Sequence, residues 1–280
     1  MSLRNLLVFV DDSETSAARL ETAIAMAGKH DAHLAACAIV EQPEYYYGIG
    51  TEVAADVYLE DVERAKSLAR EIAERARERL ARAGHSDGTR WATGAPGVIR
   101  DLAARHARYA DLSLVGQPFA GAHEALLSRI LEGVLFESGR PQAMVPKDWP
   151  ERTFGETLMI AWSASRESAR AVADAMSLIE AAGKVHIAIV DPKIGEDAHG
   201  EEPGADLAAA LAHHDVEVTV DRLASEGKSV AQRLLIHAGD VGADLVVMGG
   251  YGHWRVREML FGGVTREMVH ESPLPLLISH

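Results

Sequence analysis

The chain reads as an α/β protein of two tandem doubly wound domains, each a five-stranded, mainly parallel sheet with helices on both faces. Two observations predict this. The sequence is written twice, and within each copy short apolar runs alternate with amphipathic helical stretches. LLVFVDDSETSAARLETAIAMA (6–27) pairs with LMIAWSASRESARAVADAMSLI (158–179), and WATGAPGVIRDLAARHA (91–107) pairs with LASEGKSVAQRLLIHA (223–238). ADLSLVGQ (110–117) pairs with ADLVVMGG (243–250), and RPQAMVP (140–146) with LPLLISH (274–280). The order is the same in both copies, as a duplication requires. The join falls near PKDWPERTFGE (146–156), a polar stretch with two prolines, so the domains are expected at 1–148 and 149–280.

The strand candidates of the first copy are 5–10, 33–40, 88–93, 111–116 and 141–145. Those of the second are 157–162, 184–190, 216–221, 244–249 and 274–278. They are rich in Val, Ile, Leu and Ala on consecutive positions, the pattern of strands buried on both faces of a parallel sheet. Helices are expected between them, at 14–28 and 166–181 for example. In the latter, Val172, Ala175, Met176 and Ile179 form the apolar stripe. Asp11 and Gly94 are 83 positions apart, whereas Ser163 and Gly227 are 64 apart, so the first copy carries 19 more residues there. They surround EQPEYYYGIGTEVAADVYLED (41–61) and a long helix with Ala65, Leu68, Ala69, Ile72, Ala73, Ala76 and Leu80 on one face.

Composition narrows the function. A formal net charge of −14 over 280 residues disfavours a nucleic-acid or anionic-membrane surface. No apolar run reaches the roughly 18 residues of a membrane helix, and the N-terminus lacks a signal-like segment, so a cytoplasmic location is expected. Cys37 is the one cysteine. It lies in the apolar run HLAACAIV and is expected to be a buried, inert thiol.

The ligand signal is GGYGHWRVREMLFGGVT (249–265), which follows the apolar run ADLVVMG. Gly249, Gly252, Gly262 and Gly263 permit backbone geometries and close approaches that a side chain would forbid. Two glycines inside a continuous helix would cost roughly 1 kcal/mol each relative to alanine. The last helix is therefore expected to start near Gly262, with 253–261 arching over a pocket. The amides of Gly262, Gly263, Val264 and Thr265, with the Thr265 hydroxyl and the helix dipole, would then face an anion. His253, Arg255 and Arg257 sit on the same arch, and Arg suits phosphate. Glu258 opposes it. In such sheets, ligands bind beyond the carboxyl ends of the strands, at the topological switch point. The plain alternative is that these glycines only shape a tight connection.

This spacing, with VDDSE (10–14) at the first strand end and ADLVVMG as the fourth strand, resembles a tandem universal stress protein over essentially all 280 residues. The resemblance implies ATP binding, with or without Mg. The end of the first strand and of the second would contact adenine and ribose, and the glycine loop would hold the phosphates. In the second copy those positions are Ser163 and Val190 with Asp191, beside Gly249, Gly252 and Gly262 to Thr265. It also implies that the fifth strands pair, here within one chain as an intramolecular pseudo-dimer of QAMVP with PLLIS. A homodimer is a further possibility.

Neither copy carries the whole pattern. The first keeps Asp11 but has Phe119 in place of the second glycine, Pro118 with no N–H, and Ser128 and Arg129 in place of the glycine pair. The second keeps the loop but has Ser163 where the first has Asp11, and Gly263 where the family has a hydroxyl. Nucleotide binding in the second copy with little or no catalysis is therefore one expectation. A scaffold or small-ligand module without nucleotide is another, and a slow ATPase or hydrolase a third. No metal site is expected. His213 and His214 are adjacent on a helix and point apart. Gly227-Lys228-Ser229 lacks the upstream glycine of a phosphate loop, and a helix cap accounts for it. Tyr45, Tyr46 and Tyr47 beside Gly48 and Gly50 form either a cover for the first pocket or a loop packed on its own domain.

Overall fold

The structure, a computed structural model, describes residues 3–44, 52–85, 88–118, 123–192, 202–250 and 263–280. The elements of the first repeat are β1 (Asn5–Val10), α1 (Glu14–His30), β2 (His33–Glu41), α2 (Glu52–Arg82), β3 (Arg90–Gly94), α3 (Ile99–Ala107), β4 (Leu112–Gly116), α4 (Glu124–Glu137) and β5 (Gln142–Val145). Those of the second are β6 (Thr157–Ala161), α5 (Arg166–Ala181), β7 (Lys184–Val190), α6 (Ala205–Ala212), β8 (Val218–Leu223), α7 (Val230–Asp240), β9 (Leu245–Gly249), α8 (Gly263–Glu271) and β10 (Leu276–Ser279). All ten expected strands are present within two residues of their expected ends. The extra length of the first repeat is α2, 31 residues against eight in α6.

Two compact units divide the chain. The N-terminal unit, Leu3–Arg140 with Pro150–Thr153, carries the sheet β3-β2-β1-β4, all parallel. The C-terminal unit, Pro141–Trp149 with Phe154–His280, carries β5-β10-β9-β6-β7-β8. Its strands are parallel except β5, which lies antiparallel to β10 with Met144 opposite Leu276 and Gln142 opposite Ile278. The fifth strand of the first repeat thus belongs to the second compact unit, joined to the last strand as QAMV to LLIS. The segment between the repeats is anchored, with Trp149 and Phe154 buried.

The same devices recur in both repeats. Ser13 caps α1 by accepting from the Ser16 amide, and Ser165 caps α5 in a reciprocal box with Ser168. Asp111 accepts the amides of Arg4 and Asn5, both at 2.9 Å, at the entry to β1. Asp244 accepts those of Gly155, Glu156 and Thr157 at the entry to β6. The Ala-Asp pair preceding the fourth strand is therefore a clamp on the start of the first strand, at the end of the sheet opposite the loops.

The core follows the expected stripes. On α2, Ala65, Ala69, Ile72, Ala73, Ala76 and Leu80 are buried, and Leu68 is half-buried. On α5, Ala171, Val172, Ala175, Leu178 and Ile179 are buried, and Leu178 takes the core place expected of Met176, which is half-buried. Cys37 is fully buried as a free thiol, and burial pushes its pKa up to about 12. No helix among the described residues is long and apolar enough to cross a membrane.

Candidate functional site

In each repeat the strand order reverses between the first and fourth strands, β1 beside β4 and β6 beside β9. The crevice beyond their carboxyl ends is where a doubly wound sheet offers a site. The two repeats fill it differently.

In the first repeat the crevice holds a buried ion pair. Arg19 of α1 reaches back so that Nη2 donates to Asp11 Oδ2 at 2.7 Å and Nε donates to the Phe9 carbonyl at 2.8 Å. Both side chains are almost completely buried. The other carboxylate oxygen accepts from the Ser13 amide and hydroxyl. Burial pushes the Asp11 carboxyl up, but the Arg19 guanidinium and the Ser13 hydrogen bonds outweigh it and hold it below the usual range. A Cβ on Gly116, at the end of β4, would lie 2.3 Å from the guanidinium, so the arginine occupies the switch point itself. Asp11, which the resemblance would turn toward adenine, is thus committed to the protein.

The phosphate end of the first repeat is closed as well. α4 runs through Ser128 and Arg129, so the amides that would face an anion make intrahelical bonds instead. Arg129 pairs with Glu41 at the end of β2. What remains is a cavity of about 230 Å3 lined by Asp11, Asp12, Ile39, Glu41, Leu68 and His123. It is smaller than the roughly 300–1,000 Å3 of ordinary small-molecule sites, and its charged lining is mostly carboxylate. Asp11, Asp12 and His123 come within ligating distance of one another, but Asp11 is already neutralised by Arg19.

Among its described residues the second repeat has no such pair. Ser163 stands at the place of Asp11 and buried Ala171 at the place of Arg19, so both ends of the ion pair are exchanged together. Ser163 is exposed just beyond β6, its hydroxyl donating to that of Ser165 at 3.1 Å. Val190 is half-buried at the end of β7. The following Asp191 has φ 46° and accepts from the Ser225 amide at 2.9 Å, which holds its carboxyl below the usual range. Gly249 ends β9, next to β6 in the sheet. The register therefore brings Ser163, Val190 and Gly249 to one edge.

The glycines differ in what demands them. A Cβ on Gly249 would lie 2.5 Å from the backbone of Glu167 and Ser168, so strand β9 passes too close to the start of α5 for any side chain. Packing alone accounts for that glycine. Gly263 and Val264 are exposed in the first turn of α8, whereas Thr265 is buried. A Cβ on Gly263 would meet nothing within 4 Å among the described residues. Gly252, His253, Arg255, Arg257, Glu258 and Gly262, and the Tyr45–Tyr47 segment, lie outside the described residues. Sequence reasoning missed Arg19 and Glu167, the latter a buried carboxylate beside Gly249. Comparing the repeats position by position would have exposed the Asp11–Arg19 and Ser163–Ala171 exchange. Gly227-Lys228-Ser229 is a turn and a cap, as expected, with Ser229 boxed to Gln232 at the start of α7.

Two copies of a doubly wound unit, each with its own switch point, define a tandem α/β protein. The profile of the Universal stress protein family matches residues 2–136 and 156–280, and the chain belongs to that family of stress-response proteins. A universal stress protein from Archaeoglobus fulgidus DSM 4304 has the same fold over 100% of this chain and 99% of its own, at 18% identity and a TM-score of 0.72. A structure assigned to the same family from Pseudomonas aeruginosa UCBPP-PA14 covers 99% of this chain and 93% of its own, at 13% identity and a TM-score of 0.52. A functionally unknown protein from Pseudomonas aeruginosa PAO1 covers 99% and 92%, at 12% identity and 0.51. No curated protein matches the chain significantly.

Proposed function

We propose that the chain binds an adenine nucleotide, ATP with or without Mg2+, at the switch point of the second repeat, with little or no turnover. The observation that carries this reading is Gly263. Gly263 is exposed at the start of α8, where a glycine brings no side-chain packing and loses more backbone freedom on folding than alanine. Nothing among the described residues requires its missing side chain. A ligand that approaches the backbone does, and a helix start favours an anion.

Each proposed contact has a role. The amides of Gly262, Gly263 and Val264, with Thr265, would receive phosphate oxygens. Gly252 would let the loop close over them, and His253 and Arg255 would supply charge. Ser163 and Val190 would meet ribose and adenine. Ser163 is a weaker partner than a carboxylate for a ribose hydroxyl, so affinity rests on the loop. The first repeat is read as a structural partner, because its own side chains satisfy its crevice.

Calorimetry of the full chain with MgATP tests this. One site per chain is expected, lost when Gly252→Val and Gly262→Val are combined and retained in Arg129→Ala. No heat and no thermal shift in the parent would instead favour the scaffold reading, in which the fold serves only to join strands and partners. Equal affinity in parent and double variant would remove the site from the loop.

A further inference from the structure

We propose that His186, Asp221 and His237 form a binding site for a divalent transition-metal ion of the Zn2+ class. The three residues come from three elements of the C-terminal unit: β7, the edge strand β8 and the last turn of α7. They are 35 and 16 positions apart in the chain, a spacing no motif search would find. His186 lies four residues before Val190, roughly 13 Å along the strand, so the cluster is distinct from the nucleotide site.

The geometry is that of ligands around a common point. One oxygen of Asp221, Oδ2, lies 2.8 Å from His186 Nδ1 and 3.0 Å from His237 Nε2. All three ligand atoms fall within 4.8 Å of one another. With metal–ligand bonds of roughly 2.0–2.1 Å, the edge of a tetrahedral site is about 3.3 Å. An outward adjustment of Asp221 Oδ2 by a few tenths of an ångström would bring its two edges, to His186 Nδ1 and His237 Nε2, to that length. The two rings stand nearly perpendicular, at 82° with centroids 6.4 Å apart, so they converge without stacking.

A simple hydrogen-bond network accounts for only part of this. It explains His186 with Asp221. It leaves Nε2 of His237 buried and without a hydrogen bond, because that atom is near Asp221 but its bonding direction misses the carboxylate. An unsatisfied buried nitrogen is costly, and a metal at the centre satisfies it. The last turn of a helix favours positive charge, and His237 lies there. Two imidazoles and one carboxylate select zinc-like ions over Mg2+ or Ca2+, which want an oxygen shell. Three protein ligands leave one position for water. The ion would tie the edge strand and α7 to the body of the sheet.

The test uses the full chain, stripped by chelator and titrated with Zn2+ by calorimetry and with Co2+ by visible absorption. One equivalent is expected to bind saturably, to give the intense absorption of tetrahedral cobalt, and to raise Tm. Asp221→Asn and His237→Gln should each weaken binding by roughly tenfold or more. His213→Gln with His214→Gln, a surface pair outside the cluster, should leave it unchanged. Circular dichroism separates loss of ligand from loss of fold. If the parent shows no saturable Zn2+ binding, or binds equally well as folded Asp221→Asn, the site is refuted. Neither result bears on ATP binding.

Discussion

The Asp11–Arg19 pair is the sharpest difference between the repeats, and its energetics can be worked from its geometry. At 2.7 Å and an effective dielectric constant near 20, the gross attraction is about 6 kcal/mol. Burial of both groups offsets much of this, so the pair adds little net stability over an apolar one. Breaking it is another matter. Asp11→Asn leaves a buried guanidinium that cannot lose its proton and has lost its counter-charge, and should cost about 4–5 kcal/mol. Arg19→Met leaves a carboxylate that keeps Ser13 and can take up a proton, so about 3 kcal/mol is expected. The double variant Asp11→Asn with Arg19→Met removes both charges together, and should cost well below the sum of those two single changes, with a coupling of about 2 kcal/mol. Urea denaturation of the four proteins, followed by circular dichroism, gives the cycle. Additive effects would refute the claim that the two side chains act as one unit. The pH dependence has a definite sign. The folded carboxyl titrates below its unfolded value of roughly 3.9, so its contribution is complete above that pH and is lost as the pH falls through the folded value. The gap between the parent and Arg19→Met should therefore close in acid.

Other outcomes follow from single contacts. Asp244→Ala releases three amides at the start of β6 and should cost about 2 kcal/mol, seen as a lower urea midpoint and faster amide exchange at Gly155–Thr157. Gly133→Ala puts a Cβ 2.3 Å from the Arg100 carbonyl where α4 crosses α3; about 2 kcal/mol of net destabilisation is expected despite the better helix propensity, and an unchanged Tm would show that the helices can part. Cys37, with its pKa near 12 and no exposure, should resist thiol reagents in the native protein and react only on unfolding.

Most of the fold was legible because its strands are buried on both faces. Consecutive apolar residues such as LLVFV and LVVMG have no other stable setting in a chain of this length, and the repeat supplied each element with a second witness. The β5–β10 pairing followed only from family resemblance, since nothing local in QAMV names its partner. Single stripe positions were less certain. Met176 and Leu178 are two residues apart on α5, and which of them turns inward depends on the sheet beneath. The sites were legible in proportion to their locality. A glycine loop is contiguous and announces itself. Arg19 does not, because a buried arginine on an apolar helix face reads as ordinary surface charge until its partner is placed. The His186–Asp221–His237 cluster is assembled by strand register and helix packing alone.

The first repeat shows how part of a motif can be kept for a structural reason. Once Arg19 occupies the switch point, Asp11 is required for the fold and persists whether or not a ligand ever reaches it. Positions 128 and 129 lie inside α4, whose amides there are bonded internally. Arg129 then serves Glu41 rather than phosphate. In the second repeat the exchange to Ser163 and Ala171 removes both charges of that pair. An Asp at the end of the first strand is therefore no evidence of nucleotide binding in such a chain. In this chain the residue one helix away, Arg19 in the first repeat and Ala171 in the second, decides whether the strand end carries a buried ion pair.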